Sequence, residues 1–326
     1  MTLTHRMDSV TQTNSAGQPR KPDQAHGVLV LDKPSGPSST QCLERIKRTL
    51  GQRKIGHAGT LDPLAQGVLL VLLGQATKIA SYLTEGRKQY QGVLRLGVET
   101  DTYDVLGKVL STIDPTAADA QRVNAAVLEW ADLTEQEVPP YSAAKHQGKP
   151  LYALSRSGRD VPVKRKPIHI FQAEVLSMDL PLVRFRVECS AGTYIRSLVH
   201  SLGKRLHCGA VLEELIRERS HPFALDQAHG LQDVLDDPEA FPGKVITLRD
   251  ALPHFPKHVL SPEQSRLVRH GGRLPWNLSG NGPRGAESPA PGARALFLDD
   301  QEHPLALVEI GEADGVLQWT ILRGLF

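Results

Sequence analysis

GHAGTLDPLAQGVLLVLLGQATKIA, running from Gly56 to Ala80, joins a loop of small residues around one carboxylate to an unbroken apolar run. The run from Gly67 to Leu73 reads as a buried strand, continuous in Val and Leu rather than alternating. It is far shorter than the ~20 apolar residues that cross a bilayer. In the loop, Gly56, Gly59 and Gly67 allow backbone angles that other residues resist and let a ligand come close to the main chain. Pro63 fixes its own φ and biases Asp62 toward an extended conformation. Asp62 is therefore a carboxylate on a stiff support. Asp-Pro and Gly are also the commonest turn residues, so taken alone the loop reads first as an ordinary turn.

Outward from this stretch, Val28 to Leu31 reads as a second buried strand. Ser39 or Thr40 caps a helix with Leu43, Ile46 and Leu50 on one face and Arg45, Lys47 and Arg48 mostly outside. In Lys88 to Leu96 the residues Tyr90, Gly92, Leu94 and Leu96 share a strand face by period-two alternation, which makes the Tyr90 ring half a core side chain. Thr116 opens a T-x-x-D cap with Asp119, ahead of a helix striped by Val123, Ala126, Val127 and Trp130. From Val183 to Cys189 apolar and charged residues alternate, as in a strand with one wet face. Ile195, Leu198, Val199 and Leu202 then define the buried side of a helix, with Arg196 about 100° from Ile195 at the border of the core. Strands and helices follow one another irregularly. The fold expected is α+β, a mixed β-sheet with flanking helices, and not a doubly wound parallel sheet.

Beyond Pro253 the texture changes. Pro262 to His270 suggests one short helix ending at Gly271-Gly272, and Ala295 to Leu298, Leu305 to Ile310 and Leu317 to Leu322 read as short strands. Asn277 to Gly292, rich in Gly, Pro and Ser, reads as a floppy loop between them. The organisation expected is a disordered extension over 1–25, a catalytic domain over 26–252 and a small β-rich domain over 253–326. The extension has no apolar h-region, so it is no signal peptide.

The 326 residues suffice for two domains, and a formal net charge of +2 is too mild to announce a polyanionic partner globally. The positive charge is nevertheless clustered. Arg45 to Lys54 holds five cations and no acid, and Lys145 to Lys166 holds seven against Asp160 alone. Either cluster by itself reads as a solvated face; two of them flanking a glycine-framed carboxylate fit a phosphate-backbone footprint better. Cys42, Cys189 and Cys208 form no CxxC pair and no disulfide framework, which suits a reduced cytosolic setting. No HExxH, CxxC or close His/Asp set suggests a metal.

The segment around Asp62 resembles the signature of the TruB family of tRNA pseudouridine synthases, whose catalytic Asp lies in a Gly-Thr-Leu-Asp-Pro loop. Four further segments match in the same order: VLVLDKPSGPSS from Val28, KQYQGVLRLG from Lys88, YSAAKHQGKPLYALSRSG from Tyr141 and CSAGTYIRSLVHSLG from Cys189. The resemblance implies a pseudouridine-synthase catalytic domain followed by a PUA-like RNA-binding domain. It implies isomerisation of uridine 55 in the tRNA T-loop to pseudouridine, in the cytoplasm, by a monomer that needs no guide RNA, protein partner or cofactor. Its partner would be the tRNA T-arm.

Carried over residue by residue, the resemblance makes Asp62 the carboxylate that attacks the sugar or the base or stabilises developing charge. Arg196 would hold and aim it. Tyr90 would stack on the extruded base, an interaction typically worth ~1–3 kcal/mol, and is a candidate for proton removal. Leu215 would close the other side of the ring and keep water out. His57 would occupy the space the flipped uridine leaves, and Gly59 would let the RNA approach the loop. Lys145, His146 and Lys149 would belong to a flap over about 138–166 that closes on the RNA. The chain departs from the family pattern at Val138, where Pro is common, and at Pro140. An RNA-binding or tRNA-folding chaperone would keep the basic clusters but would not need Asp62, Tyr90 and Arg196 together.

Overall fold

The computed structural model describes residues 24–142, 144–156, 163–278, 290–313 and 315–326, of which 117, 145, 146, 149, 150, 152, 153, 156 and 313 by backbone only. A mixed sheet forms its centre, built from β1 (Gly27–Lys33), β2 (Ile55–Ala58), β3 (Gln66–Leu73), β4 (Lys88–Leu96), β5 (Ile170–Asp179), β6 (Leu182–Cys189) and β7 (Ala210–Ser220). The order is β5-β6-β4-β7-β3-β1, continued by the short strand His229–Gly230, with β2 pairing β3 off this path. Most pairs are antiparallel. β7 runs parallel to β3 through Ile216 opposite Gln66 and Arg217 opposite Gly67, and this brief contact joins the two halves of the sheet.

The apolar runs of β1 and β3 are continuous because both faces of the sheet are covered. Leu29, Leu31, Leu69, Val71 and Leu73 face one core with Cys42, Leu43 and Ile46 of α1 (Ser39–Thr49) and Leu198, Val199 and Leu202 of α4 (Ile195–Arg205). Val28, Val30, Val68, Leu70 and Leu72 face the other with Ile79, Leu83 and the C-terminal residues Leu296, Leu298, Leu307 and Leu325. α2 (Ala80–Thr84) joins the second core through Leu83, and α3 (Ala120–Leu128) joins the first through Val123, Ala126 and Val127.

Two helix starts differ from the sequence expectation. Ser38, not Ser39 or Thr40, caps α1 in a reciprocal box with Gln41, because Ser39 is turned inward and bonds Leu61. Asp119 itself caps α3, while Thr116 lies in a separate turn, Pro115–Ala117, that Asp114 caps. Trp130 falls just past α3, fully buried and edge-on to Phe185 at 5.1 Å. Of the N-terminal extension, 1–23 lie outside the described residues, while Ala25 exchanges hydrogen bonds with the Gln52 side chain at 3.0 and 3.1 Å.

The C-terminal unit has a five-stranded sheet centred on β8 (Arg294–Leu298), β9 (Pro304–Ala313) and β10 (Val316–Gly324), with α5 (Pro262–Arg269) capped by Ser261. Leu260, Val268, Phe297, Leu305 and Trp319 form its own core. The expected α+β architecture with a PUA-like β-rich sheet at the C-terminus is therefore the one observed. Of the expected loop from Asn277 to Gly292, 279–289 lie outside the described residues. Among the described residues no helix is long and apolar enough to cross a membrane.

Candidate active site

The Asp62 loop hangs between β2 and β3 and is held by two buried cations, one on each side of the carboxylate. Lys33, at the end of β1, donates to the carbonyls of Pro34 and Ala65, both at 2.7 Å, and more weakly to Pro63 at 3.5 Å. Arg217 of β7 donates to the carbonyls of Val68 at 2.7 Å, Gly59 at 2.9 Å and Thr60 at 3.5 Å. Both side chains are within 1 % of fully buried. A buried cation must find acceptors. Four of the six acceptors, Gly59, Thr60, Pro63 and Ala65, are the loop's own carbonyls, so much of the cost of burying the charges is offset only when the loop has this shape. The loop's stiffness thus comes from tertiary clamps as well as from Pro63.

Gly67 marks where β7 meets β3. Its φ is +92°, and a Cβ there would lie 2.4 Å from the Arg217 carbonyl oxygen. A Gly67→Ala variant is therefore expected to lose at least about 2 kcal/mol of stability, from a left-handed backbone plus an unavoidable clash with main chain. Its thermal midpoint relative to wild type checks this; an unchanged midpoint would contradict the clash.

Arg196 projects from the first turn of α4 and is only 4 % exposed. The turn ahead of it is pinned by the Gln136 side chain, which accepts from Tyr194 N at 2.6 Å and donates to Tyr194 O at 3.1 Å. The guanidinium then meets Asp62 Oδ2 through Nε at 2.9 Å, the Thr102 carbonyl at 2.7 Å and the Tyr141 carbonyl at 3.1 Å. Asp104 Oδ2 lies 3.8 Å from the same Nε. Burial raises the Asp104 carboxyl above its ordinary value, against opposing contributions from the Thr102 hydroxyl and Arg196. Arg196 is thus shared by two carboxylates of unequal exposure, Asp104 at 9 % and Asp62 at 39 % of the side chain. The more exposed one faces the cavity.

That cavity, of about 340 Å³, is at the low end of small-molecule sites. His57, Gly59, Asp62, Tyr90 and Leu215 line it together, beside Lys88, Tyr194 and Arg217. Burial raises the Tyr90 phenol, with the Arg217 guanidinium beside it opposing. Burial followed by the nearby Arg217 lowers the His57 imidazole. The structure thus brings Asp62, Tyr90, Arg196, His57, Gly59 and Leu215 into one place. Lys145 and His146 pair with Pro150 and Lys149 in a short hairpin, but the side chains of Lys145, His146 and Lys149 lie outside the described residues. The base of that excursion is held by Glu135–Glu137 against Arg165–Pro167.

Sequence reasoning missed Lys33, Lys88, Asp104 and Arg217. Lys88 and Arg217 each sit two residues from a residue already singled out, Tyr90 and Leu215, so strand periodicity carried a signal: a cation in phase with a buried face. Lys33 likewise ends an apolar strand. Asp104 gave none, being one of several acids in an irregular loop.

Residues 47–195 match the N-terminal domain of the TruB family pseudouridylate synthases. The chain is 57 % identical over 305 residues to the tRNA pseudouridine synthase B of Oleidesulfovibrio alaskensis, covering 93 % of this chain and 97 % of that one. Its identity to the protein of the same name from Nitratidesulfovibrio vulgaris strain Hildenborough is 56 % over 307 residues, covering 94 % and 99 %. Among solved structures it shares its fold with a chain of an H/ACA RNP bound to a substrate RNA containing 2′-deoxyuridine. The TM-score there is 0.66 at 23 % identity, covering 98 % of this chain and 93 % of that one. A Cbf5-Nop10-Gar1 complex chain gives 0.65 at 24 %, covering 98 % and 92 %.

Proposed function

The chain belongs to the TruB family of pseudouridylate synthases, and from that premise we propose that it isomerises uridine 55 of the tRNA T-loop to pseudouridine, as a monomer in the cytoplasm without guide RNA, protein partner or cofactor. The observation that carries the reading is the Asp62–Arg196 pair at 2.9 Å, set in the wall of a cavity whose other walls include Tyr90 and Leu215. The reaction breaks the N1–C1′ bond, turns the uracil and forms C5–C1′, so substrate and product are isomers and no electron donor is needed. A site for it must aim a carboxylate at the nucleoside while gripping a detached base. Tyr90 and Leu215 supply an aromatic and an aliphatic surface for the base. His57 fills the gap left in the RNA, and Lys145, His146 and Lys149 on the 138–166 flap, with the C-terminal domain of 253–326, contact the RNA backbone.

Tritium release from 5-labelled uridine in a T-arm transcript, by the purified protein alone, tests this reading. Release at position 55 supports it. Binding without release would favour an RNA chaperone, and release only on adding a guide RNA would favour a guided enzyme.

Tyr90 separates stacking from proton chemistry. Tyr90→Ala is expected to slow the single-turnover step at saturating RNA by about 5- to 150-fold, the value of one lost stacking contact of ~1–3 kcal/mol. Tyr90→Phe keeps the ring. Its rate tells whether the hydroxyl, which lies near the Arg217 guanidinium, matters beyond the stack; a Tyr90→Ala rate equal to wild type would remove Tyr90 from the site.

A further inference from the structure

Lys88 is the first residue of β4 and shares its cavity-facing side with Tyr90, two positions on. It is 4 % exposed, and among the described residues no carboxylate pairs with it; its hydrogen bond to the Leu83 carbonyl is long, at 3.4 Å. Long cations are seldom buried without a partner. The space beside it is left open by Gly59, where a Cβ would come within 3.9 Å of Lys88 Cε. The groups around it are Arg217 from β7, Cys189 from β6, Tyr90 on its own strand, Asp62 in the loop, His57 from β2 and Tyr194 ahead of α4. Burial, followed by the Arg217 charge, pushes its ammonium down to about 7, so near neutral pH much of it is a free amine. The Cys189 thiol is pushed up to about 12 by burial and the Tyr90 phenol is raised, so neither is a ready base. Asp62 is engaged by Arg196.

We propose that Lys88 is the proton acceptor of the last chemical step, taking the hydrogen from C5 of the turned base. This rests on the isomerase reading above. Once C5 has bonded to C1′ it is tetrahedral and still carries its hydrogen, while C6 is doubly bonded to N1. The Lys88 amine takes the C5 proton, the C5–H electron pair forms C5=C6, and the C6=N1 pair moves onto N1. N1 takes a proton back from the ammonium, directly or relayed through a water, which restores the amine. Nothing is oxidised or reduced.

The test is single-turnover conversion of T-arm RNA carrying protium or deuterium at uridine C5. With Lys88→Met, whose apolar chain suits the burial, the rate is expected to fall by about 10²–10⁴-fold with RNA affinity unchanged and a primary C5 isotope effect exposed. Lys88→Arg should be as slow, since a guanidinium keeps the charge but accepts no proton. In the wild type the isotope effect should grow as pH falls through about 7, which decides the matter even if the variants fold poorly. Wild-type rates in Lys88→Met, a slow variant with no C5 isotope effect, an effect that does not change with pH, or its appearance in His57→Gln instead would each overturn the proposal. A wild type that makes no pseudouridine at all would instead sink the isomerase reading beneath it.

Discussion

Asp62→Asn is expected to abolish pseudouridine formation, by at least about 10³-fold in the single-turnover rate, while tRNA affinity stays within a few-fold of wild type. The amide keeps the size of the carboxylate and can still meet the Arg196 Nε at 2.9 Å through its oxygen. Lys33 and Arg217 continue to hold the loop carbonyls on either side. What disappears is the negative charge, which is the only property that lets this side chain attack or stabilise an electron-poor sugar. Binding should survive because phosphate contacts and RNA shape supply most of the affinity. Rate and affinity measured on the same preparation check it; turnover near wild type would remove Asp62 from the chemistry.

Arg196→Met should cost both activity and stability. The guanidinium serves Asp62, the Thr102 and Tyr141 carbonyls and Asp104 from one buried position. Removing it leaves the buried Asp104 carboxylate without its cation, though still accepting from the Thr102 hydroxyl and the Leu106 amide, and losing one partner of a buried ion pair typically costs ~3–5 kcal/mol. The deficit should depend on pH in a defined direction. The fold already raises the Asp104 carboxyl above its ordinary 3.8, so between that value and the raised one the folded state binds more protons than the unfolded state. Stability linked to this group therefore grows as pH falls through that window, and the variant should recover part of its loss there. Arg196→Lys should rescue little, because one ammonium on a shorter reach cannot replace a planar fork spread over several acceptors. Denaturation midpoints across the acidic range, with single-turnover rates at neutral pH, check both parts. A Lys variant with full activity would contradict the geometric argument.

Much of this protein is legible in the chain. Continuous apolar runs at Val28–Leu31 and Val68–Leu73 mark strands buried on both faces, and alternation from Val183 to Cys189 marks one with a wet side; side-chain periodicity is a local property of the backbone. Glycines and Pro63 likewise announce a shaped loop around Asp62, and the ordered segments announce the family. Helix geometry also sets Arg196 beside the buried stripe of α4. It could not say what covers that border, and the residues that bury it come from Thr102 and Tyr141, 94 and 55 positions away, with Asp62 at 134. The clamps Lys33 and Arg217, the second carboxylate Asp104 and Lys88, which has no carboxylate partner among the described residues, belong to the same class. A buried charge is tolerated according to the acceptors and dipoles that folding brings around it, and those lie on other strands and loops. Sequence pattern thus determined which faces turn inward, while tertiary structure alone decided which of the inward charges are neutralised, which are shared and which, among the described residues, meets no opposite charge.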